Sequence, residues 1–269
     1  MKEENGYEHL IKQDLGSLGF LSDVVYHDSI DSTNKEALRL AQQGSLEWTV
    51  VIADHQTRGR GRQGRVWYSP FNVNIYTSFI LRPCLPVEHL PAISLLAGMV
   101  VAMVIEYFTG MNVEVKWPND VLVHNKKISG ILLELGVDKE NETFVVVGIG
   151  INVNSDIASY PDDVAGIALS MNSLTGITYN RTEILKYLYR IFNKWYQVYV
   201  RDNGFKGIKD TFMRRFKMAD EIVYIVDGKD RMSGLIKDID DYGGLMIMDK
   251  NNKVNTIKTG DVHLIRTIV

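Results

Sequence analysis

The segment Gly59-Arg60-Gly61-Arg62-Gln63-Gly64-Arg65 restricts the folds open to this chain more than any other stretch. Its Gly-x-Gly-x-x-Gly spacing follows an apolar, strand-like run at Thr49–Asp54, the arrangement that opens a dinucleotide-binding βαβ unit. Such a unit needs a helix to begin at the third glycine. Here Val66-Trp67-Tyr68-Ser69-Pro70-Phe71 follows, and then a second strand-like run, Asn74–Leu81. No helix starts on that sequence, so the dinucleotide fold is excluded. What remains is a loop between two strands, in which arginines alternate with glycines. Arginine presents a planar, permanently charged fork to phosphate or carboxylate oxygens, and glycine lets the backbone approach a ligand. Like charges gathered in one loop repel each other unless an anion relieves them. The loop reads as an anion grip, with a solvated basic surface loop as the competing reading.

Apolar periodicity supplies the rest of the frame. Tyr7–Leu18 has the spacing of a short amphipathic helix stopped at Gly19, and Val24–His27 that of a strand. Thr33 and Glu36 have capping-box spacing ahead of Ala37, Leu38, Leu40 and Ala41. Ser32 and Thr33 therefore read as helix caps, a role compatible with holding a carboxylate or carbonyl. Leu90–Phe108 is the longest apolar helix, a core helix ended by Gly110. Val113–Lys116 leads as a strand into Trp117-Pro118-Asn119-Asp120. Val121–Val123 and Ile128–Leu135 form a hairpin with Lys126 and Lys127 near its tip, and Phe144–Val153 is a further strand. Ser155–Gly166 is polar and aperiodic, a loop; Arg181–Tyr199 carries aromatics at helical spacing, a core helix. After a helix ending near Phe216 the pattern becomes short strands: Glu221–Val226, Met232–Lys237, Leu245–Met248 and Asn255–Ile257. Turns at Asp227-Gly228, Tyr242-Gly243-Gly244 and Asn251-Asn252 separate them. Two domains are expected, 1–216 and a small all-β module at 217–269.

Several function classes drop out. A net charge of −3 argues against general nucleic-acid binding. One cysteine, Cys84, excludes an internal disulfide and a multi-cysteine metal site, and is expected to be a small buried hydrophobe. The N-terminus lacks the apolar core of a signal peptide, and no stretch approaches membrane-spanning length without charges, so the expected location is the cytoplasm. The six histidines are scattered, with no pair at i, i+4, and there is no Gly-x-Ser-x-Gly elbow. The polar constellations that remain are Ser32/Thr33, the Arg-Gly loop, Lys116–Asp120 with Lys127, and Gly148-x-Gly150-x-Asn152. A site rich in lysine and arginine, with an Asn-Asp pair, suits a polyanion accompanied by Mg²⁺.

These motifs, in this order, resemble the successive signatures of the biotin protein ligases. They are Gly59-Arg60-Gly61-Arg62-Gln63-Gly64-Arg65-Val66-Trp67, Lys116-Trp117-Pro118-Asn119-Asp120, Lys127–Glu134 and Gly148-Ile149-Gly150-Ile151-Asn152, with Asp31-Ser32-Thr33-Asn34 and Gln56 upstream. The resemblance implies an α+β fold: a class II aminoacyl-tRNA-synthetase-like catalytic domain with a C-terminal SH3-like β-barrel. It implies that Ser32, Thr33, Gln56, Gly59 and Arg60 hold biotin, with Gly130, Gly148 and Gly150 lining its slot. Arg62 and Arg65 match arginines facing the carboxylate and the nucleotide phosphates. Lys116, Asn119 and Asp120 match the ATP and Mg²⁺ end, with Asp120 the metal candidate, Asn152 the nucleotide side and Trp67 a wall. Lys127 matches the lysine central to catalysis.

The implied chemistry is attack of the biotin carboxylate on the α-phosphorus of ATP. Biotinyl-5′-AMP forms, and its acyl group passes to a lysine of a biotin carboxyl carrier protein. The Arg-Gly loop and Ser155–Gly166 are the candidate lids over the adenylate. Some relatives carry an N-terminal helix-turn-helix domain; about twenty residues precede the first matching strand here, so no specific operator binding is expected. Lipoate ligases and a non-catalytic biotin sensor are the rival readings. A homodimer is compatible with the resemblance.

Overall fold

The computed structural model describes residues 6–227 and 230–264; Met1–Asn5, Gly228 of the expected Asp227-Gly228 turn, and 265–269 lie outside the described residues. The chain runs α1 (Gly6–Gly16), β1 (Asp23–His27), α2 (Thr33–Gln42), β2 (Thr49–Ala53), β3 (Ile75–Leu81), α3 (Ile93–Thr109), β4 (Glu114–Lys116), β5 (Asp120–Val123), β6 (Lys126–Val137) and β7 (Thr143–Ile151). It continues through α4 (Asp162–Ala165), α5 (Met171–Thr175), α6 (Arg181–Arg201) and α7 (Lys209–Met213). Strands β8 (Ile222–Asp227), β9 (Asp230–Ile239), β10 (Leu245–Met248), β11 (Val254–Ile257) and β12 (Asp261–Leu264) follow.

Strands that are buried at every position need cover on both faces. β2 and β3 are such strands, buried throughout. They lie in a seven-stranded sheet of order β1-β2-β3-β7-β6-β5-β4, with β1 and β2 parallel and the other neighbours antiparallel. Alternation sorts their side chains into two clusters. Val51, Ile80, Phe144 and Val146 meet Ala37 and Ala41 of α2. Val50, Ile52, Phe79, Leu81, Val145 and Val147 point the other way, into the large core shared with α3 and α6. The sheet is thus the middle of three layers.

The same alternation prepares the site. Tyr76 pairs with Gly150 and Ser78 with Gly148, while Gly130 and Leu132 of β6 oppose Gly150 and Gly148. Directly opposed residues share a face, here the α2 face. Past the Ile80–Val146 pair, toward the N-terminal end of β3 and the C-terminal end of β7, that face therefore becomes a floor of glycines.

The second sheet has order β11-β10-β9-β8-β12. Its inward residues, among them Val223, Ile225, Ile236 and Val262, belong to the same buried cluster as α3 and α6. Two further ties hold it: the Trp117 indole donates to the Gly243 carbonyl at 2.9 Å, and Lys209 pairs with Asp238 at 2.7 Å. Gly243, at φ 83°, lies so close to Ala92 that an added methyl would come within 2.7 Å of it.

Several expectations need correction. No side-chain cap forms at the start of α2: Ser32 is the N-cap by backbone, and neither its hydroxyl nor that of Thr33 bonds the first turn. Lys126 and Lys127 sit on β6 itself, because the turn is tighter than expected and uses His124 and Asn125 at positive φ. Ser155–Gly166 is not a featureless loop; it holds a 3₁₀ turn at Ile157–Ser159 and α4. Cys84 is exposed rather than buried. The stretch Val87–Thr109 is, by length and composition, apolar enough to cross a bilayer, and it is largely buried as a core helix. The sequence expectation also missed β12 at Asp261–Leu264.

Candidate active site

One cavity of about 930 Å³ opens over the glycine floor. Gly130, Gly148 and Gly150 are there because something else occupies the space a side chain would fill. A methyl on Gly150 would lie 2.5 Å from the Trp67 indole, and one on Gly130 would lie 3.0 Å from the same ring. A methyl on Gly148 would overlap Asn34 Oδ1. Trp67 thus stands as a wall directly above the floor, and Asn34 closes one end.

That end is polar, buried and connected. Ser32, Thr33 and Asn34 are 2%, 3% and 4% exposed at the start of α2. The Thr33 N–H donates to Gln56 Oε1 at 2.9 Å, and the Gln56 amide donates to Ser69 Oγ at 3.0 Å. Ser69 in turn donates to the Trp67 carbonyl at 2.9 Å. On the other side, the hydroxyls of Thr33 and Ser78 lie 2.8 Å apart, and Ser78 donates to Asn34 Oδ1 at 2.6 Å. The Asn34 amide donates to the Leu132 carbonyl at 3.2 Å and to Glu134 at 2.9 Å. Arg60 completes the chain with a two-pronged pair to Glu134 at 2.9 and 3.1 Å. A single hydrogen-bonded path therefore joins Trp67, near one end of the Arg-Gly loop, to Arg60, near the other.

The loop is itself a folded hairpin. Gly59 and Trp67, Arg60 and Val66, and Gly61 and Arg65 pair across it, around a 3₁₀ turn in which Gln63 and Gly64 take positive φ. Gly59 packs against the Trp67 carbonyl and Ser69, so the structure places it in the loop's base and not on the cavity wall. The charges at the loop tip are answered from afar. Arg62 donates to Asn119 Oδ1 at 3.1 Å and to the Gly260 carbonyl at 3.5 Å, while Arg65 pairs with Asp261. The C-terminal sheet thus supplies part of the cavity rim, with Val262 and His263 beside Asp261.

The cationic end centres on Lys127. Its ammonium lies 2.6 Å from Asp120 Oδ1 and 5.4 Å from the Trp67 ring centroid, within cation–π range. Its backbone is gripped by the 155–170 segment: Lys127 N–H donates to the Ile167 carbonyl at 2.7 Å, and Leu169 N–H donates back at 2.9 Å. Lys116, Asn119 and Asp120 line the same end. Lys116 has no ion pair among those found for the described residues. Asn152 lines the cavity too, and its amide holds the Leu169 carbonyl at 3.0 Å. Tyr160, 5% exposed, pins the middle of the segment: Asn74 donates to its hydroxyl at 2.8 Å, and the hydroxyl donates to Ser155 at 2.8 Å. Burial raises the Tyr160 pKa, so the phenol stays protonated at neutral pH.

Fifteen of the positions singled out from sequence thus meet around one cavity: Ser32, Thr33, Gln56, Arg60, Arg62, Arg65, Trp67, Lys116, Asn119, Asp120, Lys127, Gly130, Gly148, Gly150 and Asn152. Sequence reasoning gave no role to Ser78, Tyr160 or Asp261. Asn34 and Glu134 stood inside the matched motifs without one. Among the described residues there is no cluster of three or more His, Cys, Asp or Glu side chains placed to cage a metal ion. The arrangement can seat a small acid with a polar ring at the buried end, and a polyanion at the cationic end, with Lys127 between them.

Comparison with known proteins gives the same picture. Residues 26–152 match the biotin/lipoate A/B protein ligase family. The chain is 33% identical over 221 residues to a biotin–[acetyl-CoA-carboxylase] ligase of Paracoccus denitrificans, covering 81% of this chain and 90% of that protein. It is 39% identical over 186 residues to the bifunctional ligase/repressor BirA of Bacillus subtilis, covering 69% of this chain and 57% of that protein. The chain therefore spans little more than half the length of that relative. Among solved structures, the biotin protein ligase from Aquifex aeolicus in complex with biotin and ATP superposes with a TM-score of 0.77 at 28% identity, covering 92% of this chain and all of that one. The fold is the α+β, class II synthetase-like core of that group, followed by a C-terminal antiparallel sheet resembling its SH3-like subdomain. On the combined strength of the family match and the likeness to the Paracoccus and Aquifex ligases, the chain belongs to the biotin protein ligases of the biotin/lipoate A/B protein ligase family.

Proposed function

We propose that the chain is an ATP-dependent biotin ligase, which makes biotinyl-5′-AMP and passes the biotinyl group to a carrier lysine. The observation that carries this reading is one cavity that combines a hydrogen-bonded polar end, a glycine floor and a cationic end converging on Lys127. The Aquifex relative's complex with biotin and ATP supports both ligands.

In the first half-reaction a biotin carboxylate oxygen attacks the α-phosphorus of ATP. The new O–P bond forms as the bond to the β-phosphate oxygen breaks, and pyrophosphate leaves. Two anions are forced together, so the barrier is largely electrostatic, and fixed cations lower it without reorganising. Lys127 stands between the two ends of the cavity, and Arg62 and Arg65 stand over the nucleotide side. The Asp120 carboxylate fits a magnesium ion brought in by the nucleotide, since one or two carboxylates suffice when phosphates complete the shell. When bound, that ion supplies positive charge to the phosphate oxygens. In the second half-reaction the neutral amine of the carrier lysine attacks the acyl carbon, AMP leaves, and the amine proton passes to solvent. Trp67, the Arg-Gly hairpin and the 155–170 segment exclude water from the mixed anhydride in the interval.

The Paracoccus relative's name supports an acceptor on acetyl-CoA carboxylase, or on a similar biotin-dependent carboxylase. A cytoplasmic location is consistent with the lone exposed cysteine. A homodimer is supported by the outer half of β6: β5 pairs with it only as far as Gly130, and exposed Leu135 and Val137 lie beyond.

The test mixes protein, ATP, Mg²⁺ and biotin, and follows pyrophosphate release and biotinyl-adenylate by mass spectrometry, with lipoate and octanoate in parallel. Biotin-dependent adenylate supports the reading. Adenylate from lipoate alone moves the chain to the sister activity, and none from any acid, in a folded sample, removes the enzyme assignment.

A further inference from the structure

Ser78 is fully buried, faces α2 from β3 and does not line the cavity. Nothing in the reaction calls on it. Yet it stands between Thr33 and Asn34, and its contacts leave little choice about where protons go.

The argument starts at Asn34. Its amide nitrogen faces the Leu132 carbonyl and the Glu134 carboxylate, two groups that only accept. That fixes the amide orientation, so Asn34 Oδ1 is the atom facing Ser78, and it too can only accept. Ser78 must therefore donate its single proton to Asn34, at 2.6 Å. The contact between the Ser78 and Thr33 hydroxyls at 2.8 Å then needs its proton from Thr33. Thr33 also lies 3.1 Å from Gln56 Oε1, which already accepts from the Thr33 N–H at 2.9 Å. Ser78 is the nearer acceptor and Gln56 Oε1 is already engaged, so Ser78 is what holds the Thr33 proton inward, and a lone pair is what the hydroxyl offers the cavity. The Gln56 amide, with one proton on Ser69, keeps a second donor, and the Ser32 hydroxyl makes no cap bond.

We infer that Ser78 is a specificity-determining positioning residue: by fixing Thr33 as an acceptor, it makes the buried end select a ring that carries an N–H donor beside a carbonyl. This rests on the biotin reading above and deepens it, since a ureido ring has that pattern and a dithiolane or alkyl chain does not. A site built to pair a donor rejects an analogue lacking it far more strongly than an apolar pocket rejects a change of shape.

The experiment is a double-mutant cycle on biotin binding by calorimetry, with ATP binding measured on every sample. Ser78→Ala should weaken biotin about tenfold, the scale of one misdirected buried hydrogen bond, and leave ATP affinity within twofold. Thr33→Val keeps the shape and removes the hydroxyl; in that background Ser78→Ala should change biotin affinity less than twofold. Equal effects of Ser78→Ala in both backgrounds would overturn the inference while leaving the biotin reading intact. Wild-type protein that binds ATP but no biotin removes both. Should Ser78→Ala not fold, the wild type carries the test with two cyclic carbamates, each replacing one ureido N–H by oxygen. The isomer that turns oxygen toward Thr33 should bind at least tenfold more weakly than biotin, and full affinity for both isomers would overturn the inference.

Discussion

At the buried end of the cavity, Thr33 sits in one chain of bonds that runs through Gln56 and Ser69 on one side and Ser78, Asn34, Glu134 and Arg60 on the other. At the other end, the charged groups are held loosely and by substitutes. Arg65 is 64% exposed and pairs with Asp261 from the second sheet, and Arg62 rests on Asn119 and a backbone carbonyl. The first region is preorganised, with its hydrogen bonds made before any ligand arrives. The second holds cations whose present partners are a partly buried carboxylate, a side-chain amide and a backbone carbonyl, groups that phosphate oxygens can replace. A ring of fixed pattern needs the first arrangement. A nucleotide that must arrive, react and depart as two products needs the second.

Perturbations of the two ends should therefore differ in size and kind. The largest effect is expected at their junction. Lys127→Ala removes the cation that both anions approach, and adenylate formation, read as pyrophosphate release, should fall at least about a hundredfold with biotin binding retained. Next comes the floor. Gly148→Ala places a methyl onto Asn34 Oδ1 and breaks the bond chain, so biotin affinity by calorimetry should drop on the order of a hundredfold, whereas ATP affinity should stay near wild type. A smaller effect is expected at the rim. Asp261→Asn frees Arg65 from a competitor, and the KM for ATP should fall a few-fold, with steeper salt dependence. The smallest is Tyr160→Phe, which removes one buried hydroxyl and keeps the ring; the loss should be about 1 kcal/mol of unfolding free energy by denaturant titration.

The same contrast explains what the sequence could show. The exclusion of a dinucleotide fold rested on Val66–Phe71, a local signal, and the structure indeed places a hairpin and β3 there. Gly148 and Gly150 stood out as a Gly-x-Gly-x-Asn pattern within an apolar strand, whereas Gly130 came only with the family resemblance. Ser78 and Tyr160 gave no such sign. A serine in an apolar strand and a tyrosine in a polar loop are ordinary until the register of β3 on β7 and the path of the 155–170 segment bring them to Asn34 and Asn74. Asp261 was invisible for the same reason, being nearly two hundred residues from Arg65 in sequence. The capping box failed because the helix starts one residue earlier than that spacing implies: Ser32 is the N-cap and Thr33 the first helical residue, whose hydroxyl turns to Gln56 and Ser78. Cys84 was misplaced because composition carries no information about one residue's exposure.

The most direct measurement of the proposed division is amide hydrogen exchange on the free protein, and then with biotin and a non-hydrolysable ATP analogue. The account predicts that amides at 32–34 and 76–80 are already protected and change less than about threefold, while those at 59–67 slow at least about tenfold when both ligands are bound. Large new protection around Thr33 and Ser78, with none in the Arg-Gly hairpin, would contradict it: the polar end would then be the part that ligands order.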